Sequence, residues 1–326
     1  MIGPRVLIVL GASGAWSRGI LRGFSAVAHE QGWNLLQYHP NVDLDWLART
    51  WTPAATVLGP DVGASWPAVL RGGIAVSVNT DRSGEGVASV CLDEERIATV
   101  ALEHMLAKGL RALTTFRFDE SPFAVARERA FSRAAVASGA RLVAGWWTDG
   151  AEPPRSEEQP GAMVSWLRGL PRPCGVFACC DAWARVVARY ARTADLRVPE
   201  DVSIVGVDND AIECELTAPP LSSVAVPWQT VGQRAAQLVK LGLSGAAIAD
   251  RIVVAPTHVV TRRSSDALAI EDALVDRAVR WIHHHATQPL TVPSVARALA
   301  TSRRRLERRF HAALGRTVAQ EIRRVR

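Results

Sequence analysis

Several things are scarce in this chain of 326 residues. It has five cysteines, Cys91, Cys174, Cys179, Cys180 and Cys214, an odd number with no CxxC pair, which excludes a regular disulfide framework and a Cys-based zinc site. They read as buried, reduced thiols. The longest apolar runs, such as Val6 to Leu10, are far shorter than the roughly 20 residues that cross a bilayer. A secretory core needs about 7 to 15 apolar residues, so a cytoplasmic protein is expected. There are two tyrosines, Tyr38 and Tyr190, and neither has a lysine four positions on, which removes the Tyr-Lys pair of a short-chain reductase. A GxSxG nucleophile turn is also missing.

What is present is apolar and unevenly charged. The hydrophobic fraction of 48% can fill sizeable cores. Residues 301–326 hold nine arginines and two glutamates, so they account for more than the whole formal charge of +6, and the rest of the chain is close to neutral. A neutral body with an arginine-dense end suggests a sensor or enzyme attached to a polyanion-binding segment. The His283–His285 run does not make a metal site, because consecutive helical residues point about 100° apart. No metal and no cofactor is expected.

Short β-branched runs alternate with amphipathic stretches over the first 260 residues or so, the pattern of βα units around a mostly parallel sheet. Strands are predicted at Val6–Leu10, Ala55–Leu58, Ile74–Val78, Ala112–Phe116, Gly175–Ala178 and Ser203–Val207. A helix is predicted over Glu94–Lys108, with Asp93 as N-cap and Gly109 just beyond its end.

The stretch "VLIVLGASGAWSRGI", residues 6–20, puts Gly11 and Gly14 where a dinucleotide-binding turn has them. Ser17 replaces the third glycine, Gly19 is off-register, and the next acidic residues, Asp43 and Asp45, come too late to hold a ribose. The same small residues suit an open cleft edge, where Ser13 offers a hydroxyl and Trp16 a flat face to a sugar.

Residues 196–227, "LRVPEDVSIVGVDNDAIECELTAPPLSSVAVP", resemble the signature of LacI-type repressors, a VPxDVSVVGFDD strand and turn followed by a PPLTTV crossover. "VCLDEERIATVALEHMLAKGLRAL", residues 90–113, and "ARERAF", residues 126–131, resemble the same family's aspartate-capped and arginine-bearing helices. The resemblance implies a periplasmic-binding-protein-like α/β fold: two subdomains joined by three crossovers, with a small polar ligand between them. By motif it carries ligand contacts to Ser13, Asp93, Arg127, Asp181 and Asp208. Asp93 and Asp181 have the alternative role of capping the helices they precede, and Arg127 that of lying on a solvated helix face. Trp16 and Trp183 are placed to stack on a sugar ring. The family often has asparagine before Asp181; here it is Cys180. The sensor is expected over residues 1–264, with one subdomain at about 1–115 and 228–249 and the other at about 116–227 and 250–263.

After a linker at 265–271, residues 272–326 resemble the first half of an AraC-type helix-turn-helix DNA-binding domain. A lead helix with Val279 and Ile282 inward is expected, then a helix over Val292–Ala300 and a second from Ser302 to Leu314 ending at Gly315. Leu299, Leu306 and Phe310 would form its core. With Ser302 as N-cap, Arg303 and Arg304 are the candidates for base edges; Arg305, Arg308 and Arg309 complete the basic face, with Arg308 or Arg309 on phosphates. AraC-type domains carry two such readers, and this sequence stops at Arg326 inside what the resemblance makes the connecting helix. One reader is then missing: either the chain is a truncated product, or it works with a single reader per protomer, and a homodimer would then be needed to cover two half-sites.

The expectation is therefore a sugar-responsive DNA-binding transcriptional regulator without catalytic residues, its effector xylose or another pentose or hexose and its second partner double-stranded operator DNA. A sugar-binding protein without a DNA function and an NAD-dependent epimerase or reductase are the alternatives.

Overall fold

A computed structural model describes residues 3–11, 14–39, 41–60, 62, 73–83, 87–146, 160–266, 272–285 and 288–325. The chain divides into a large α/β unit, Met1–Ala107 and Arg111–Ala267, and a small unit, Leu268–Arg326 together with Lys108–Leu110, that is mostly helical.

The large body begins with β1 (Arg5–Val9), α1 (Ala15–Glu30), β2 (Asn34–Gln37), α2 (Leu44–Trp51), β3 (Ala55–Leu58), β4 (Ile74–Val78), β5 (Ala88–Leu92) and α3 (Glu94–Ala107). Next come β6 (Ala112–Phe116), α4 (Pro122–Ala137), β7 (Arg141–Leu142), α5 (Pro160–Gly169) and β8 (Cys174–Ala178). The last elements are α6 (Asp181–Thr193), β9 (Val202–Asp208), α7 (Ala211–Glu215), β10 (Ser222–Ala225), α8 (Trp228–Leu243), β11 (Arg251–Val254) and β12 (Val259–Val260).

These strands form two sheets. The first runs β11-β5-β4-β3-β1-β2 and is parallel throughout; the second runs β12-β10-β9-β8-β6-β7, with β12 its antiparallel edge. Every residue of β3, β5 and β8 is buried, as helices on both faces of a parallel sheet require. The predicted strands all form, within one residue at either end, and α3 is capped by Asp93, whose carboxylate accepts the Arg96 N–H at 2.8 Å. Sequence reading overlooked β2, β7, β10, β11 and β12, which are four residues or fewer, and β5, whose buried run merges with the helix motif after it.

The subdomain limits need correcting. The division at 115/116 would cut β6, yet β6 pairs along its length with β8 in the second sheet, and α3 packs on α4. β11, expected in the second subdomain with 250–263, pairs with β5 in the first sheet. The chain therefore crosses between sheets after β5, after β10 and after β11. The crossings are bonded to one another: the Asp93 N–H donates to the Val254 carbonyl at 3.0 Å, and the Ala225 N–H to that of His258 at 2.8 Å.

The glycines of α1 serve packing. A Cβ on Gly19 would stand 2.6 Å from the Trp228 Cβ, and one on Gly23 only 1.9 Å from the Gln229 carbonyl oxygen, so α1 lies backbone-close on α8. Gly19, off-register for a nucleotide turn, has this structural use instead.

The helical body comprises α9 (Ala273–His284), α10 (Val292–Ala298), α11 (Arg303–Leu314) and α12 (Val318–Val325). Val275, Ala278 and Ile282 of α9 meet Val295, Leu306, Phe310 and Val318 in a fully buried core, with Val279 and Leu299 at its margin. Thr291 caps α10 in a reciprocal pair with Ser294. Ser302 caps α11, which ends on Gly315 at φ 62°.

Candidate functional site

In parallel sheets the carboxyl ends of strands open onto loops that can hold ligands. Here the ends of β1 and β9 face each other across the two sheets: the Ala15 N–H, first in α1, donates to Asp210 Oδ2 at 3.3 Å. The residues around this meeting point come from the turns after β1, β8 and β9 and from the starts of α3, α4 and α6.

Arg127 is the fixed point of the cluster. Its side chain is 2% exposed, which excludes the solvated-face reading. Its Nε donates to Glu94 Oε2 and its Nη1 to the Cys179 carbonyl, each at 2.7 Å, while Asp208 Oδ1 stands 3.6 Å away. The Phe123 ring lies 5.1 Å from the guanidinium carbon. A buried cation is tolerable only with such partners, and here two carboxylates, a carbonyl and an aromatic face supply them.

Three aspartates crowd the β9–α7 turn. Asp208 sits at φ 109° and Asn209 at φ 53°, left-handed conformations that non-glycine residues seldom adopt and that occur disproportionately at functional sites. Burial pushes the Asp208 carboxyl up to about 7; Arg127 works against this, and the charges of Glu94 and Asp210 add to it. Asp181 is pushed well above the usual carboxylate range, first by burial and then by Asp208. It does not cap α6, where Cys180 is the N-cap; its Oδ2 accepts the Asp210 N–H at 2.8 Å and the Cys214 thiol at 3.5 Å. A carboxyl placed like that of Asp208 can switch between donating and accepting hydrogen bonds near neutral pH, which suits hydroxyl groups.

Aromatic rings stand beside it. Trp183 stacks on Phe123, with centroids 5.8 Å apart and planes at 24°, and meets Phe118 edge-on. Trp16 tilts against the buried Trp228 at 6.1 Å. Asp93 is half-buried at the start of α3, and Ser13 lies outside the described residues. Sequence reading missed Glu94, Asp210, Phe123 and Trp228. Glu94 and Arg127 are 33 positions apart on different helices, so no local pattern links them.

In the helical body, Arg303, Arg304, Arg305 and Arg308 of α11 are exposed, while Leu306 and Phe310 point inward. Arg309 behaves differently from the others: its Nε is bonded to Asp272. Of the pair proposed for phosphate contact, Arg308 is the exposed one.

The sequence profile of the periplasmic binding protein-like domain matches residues 102–265, half of the chain. The protein belongs to that family. Among its relatives, the xylose operon regulatory protein of Escherichia coli K12 is 29% identical over 250 residues, 76% of this chain and 64% of its own length. That of Haemophilus influenzae is 33% identical over 166 residues, 51% of this chain and 43% of its own. The chain thus spans less than two thirds of these regulators. Among solved structures, a xylose-binding transcription activator superposes with a TM-score of 0.74 at 23% identity, covering 100% of this chain and 86% of its own. A transcriptional regulator in complex with cellobiose gives 0.63 at 20% identity, covering 81% and 86%. At these identities the likeness speaks for the fold. The periplasmic binding protein-like match takes in Arg127, Asp181, Trp183 and Asp208 and begins after Ser13, Trp16 and Asp93.

Proposed function

We propose that this protein is a transcriptional regulator that binds a neutral sugar between its two sheets and DNA through α11. The observation that carries the reading is that one chain joins a carboxylate-rich cleft to an arginine-covered helix. In the cleft Glu94 and Asp208 flank one cation, Arg127, already held by Glu94 and by the Cys179 carbonyl, and Asp181 and Asp210 add two more carboxylates beside Asp208. Such a balance disfavours phosphorylated or acidic sugars and favours hydroxyls, each of which can donate to one carboxylate oxygen and accept from another group. Trp183 and Trp16 supply the flat apolar faces that a sugar's C–H surface covers. The relatives named as xylose operon regulators support xylose as the first sugar to test.

At α11 the exposed arginines, the Ser302 cap and the partly positive helix N-terminus together favour a polyanion. Arg303 and Arg304 near the start of the helix would reach base edges, and Arg308 phosphate. A homodimer would place two such helices on paired half-sites, and a cytoplasmic location follows from DNA as partner; among the described residues no helix is long and apolar enough to cross a membrane. Catalysis has no part in this reading. A sugar-binding protein without a DNA role would leave the arginine face of α11 unused.

Tryptophan fluorescence titrated with xylose, arabinose, ribose and glucose tests the sensor, with Asp208→Ala as control. Saturable binding of one sugar, lost in the variant, supports it. Silence from all four, in folded protein, removes the sugar assignment.

A further inference from the structure

The turn that carries Asp208 and Asp210 is tied to the segment through which the chain leaves the α/β body. Two successive non-glycine residues at positive φ, Asp208 and Asn209, need neighbours to hold them. For Asn209 these are Ser223, whose Oγ accepts its N–H at 2.9 Å, and Arg262, whose Nη2 donates to its Oδ1 at 2.8 Å. The other arm of the Arg262 guanidinium donates to the Leu221 carbonyl at 2.9 Å. Just beyond, the 3-10 turn Arg263–Ser265 is sewn to the same sheet: the Ser264 Oγ donates to the Ile204 carbonyl at 2.7 Å and accepts the Ser222 N–H at 2.8 Å. Ser264 is fully buried, an unusual place for the last turn of a domain unless its position matters. Asp272, at the head of α9, follows six positions after Asp266.

We propose that the Arg262–Asn209 hydrogen bond is the coupling element that passes occupancy of the cleft to the segment leading into the helical body. This rests on the regulator reading above. A sugar drawn to Asp208 acts on a turn whose middle residue is held by Arg262, so a shift of that turn pulls on, or releases, the chain at 262–265. Arg262 is thus a positioning residue and need not touch the sugar.

The test uses the full chain and two variants. Asn209→Gly keeps a backbone that accepts φ 53° without strain and removes the acceptor, and Arg262→Met removes the donor. Sugar affinity is read by tryptophan fluorescence with the four sugars named above, and DNA affinity by salt-controlled titration with and without the sugar that binds the parent. The expected result is that each separate affinity stays within about twofold of the parent, while the sugar's effect on DNA affinity collapses from the roughly 5- to 150-fold usual for allosteric coupling to about 1. Variants that respond to sugar as the parent does overturn the coupling and leave the regulator reading intact. A parent that binds sugar or DNA but shows no coupling, or binds neither, overturns the regulator reading and the coupling with it. A sugar-free readout separates the two further: hydrogen exchange at residues 262–266 should quicken in Asn209→Gly, and unchanged exchange there overturns the mechanical link whatever the ligand.

Discussion

Arg127 of α4 donates through its Nε to Glu94 of α3 at 2.7 Å, joining the starts of two helices that carry the cleft. Cutting this bond from the acidic side leaves a buried guanidinium with Asp208 3.6 Å off as its remaining carboxylate. Glu94→Ala is therefore expected to destabilise the protein by about 3–5 kcal/mol. Urea unfolding measures it, and a loss below about 1 kcal/mol would show that the guanidinium finds other compensation.

The pH dependence of stability has a definite sign. Asp208 ionises at about 7 in the folded chain, against an ordinary 3.8, with Arg127, Glu94, Asp210, Asp181 and Cys180 around it. The native state then holds this proton more tightly than the unfolded one, so the contribution to stability falls as pH rises from about 4 to about 7 and is level above. Asp208→Asn removes that fall. Its melting temperature should exceed the parent's at about pH 8 and match it at about pH 4, and an equal offset at both would rule out this ionisation as the cause.

Close helix packing gives a prediction remote from the cleft. Gly23→Ala would drive a methyl to 1.9 Å from the Gln229 carbonyl oxygen. A cost of about 1–3 kcal/mol is expected as α1 and α8 separate. Gly161→Ala, where a Cβ meets open space, should instead stabilise by about 0.4–1 kcal/mol, and thermal melts of the two variants give the contrast.

Arginines on α11 should separate by role. Arg308→Ala is expected to weaken binding to all duplexes alike and to lower the salt slope by about 1 unit. Arg304→Ala should cost about 1–3 kcal/mol on a preferred sequence and relax the preference at one base pair. Arg309→Ala, which frees Asp272, should show mainly as a loss of thermal stability in the helical body. Fluorescence anisotropy at several salt concentrations distinguishes these outcomes.

What could be read from the sequence was whatever is local. The α/β alternation, the Asp93 and Ser302 caps, the Gly315 stop and the inward Leu306 and Phe310 all lie within a few residues of the features they control. Partnerships made in space were hidden. Nothing around Arg127 announces Glu94, and nothing around Ala15 announces Asp210, 195 positions later. Asp181 looked like a cap because it opens a helix; its carboxylate instead turns to the neighbouring β9–α7 turn. The subdomain limits failed for a related reason, since sheet membership is set by strand pairing, and β11 finds its partner in β5 across about half the chain.

The Asp210 carboxylate at the head of α1 deserves a different description: it is a tethered competitor. The N-terminus of a 16-residue helix attracts oxygen ligands, and here the protein's own oxygen already sits there. An effector that settles on this helix must displace a group whose local concentration never falls, so its measured affinity is lower than its contacts alone would give. A chain relieved of that competitor, as in Asp210→Ala, would respond at lower effector levels and lose some of its ability to ignore a trace of it.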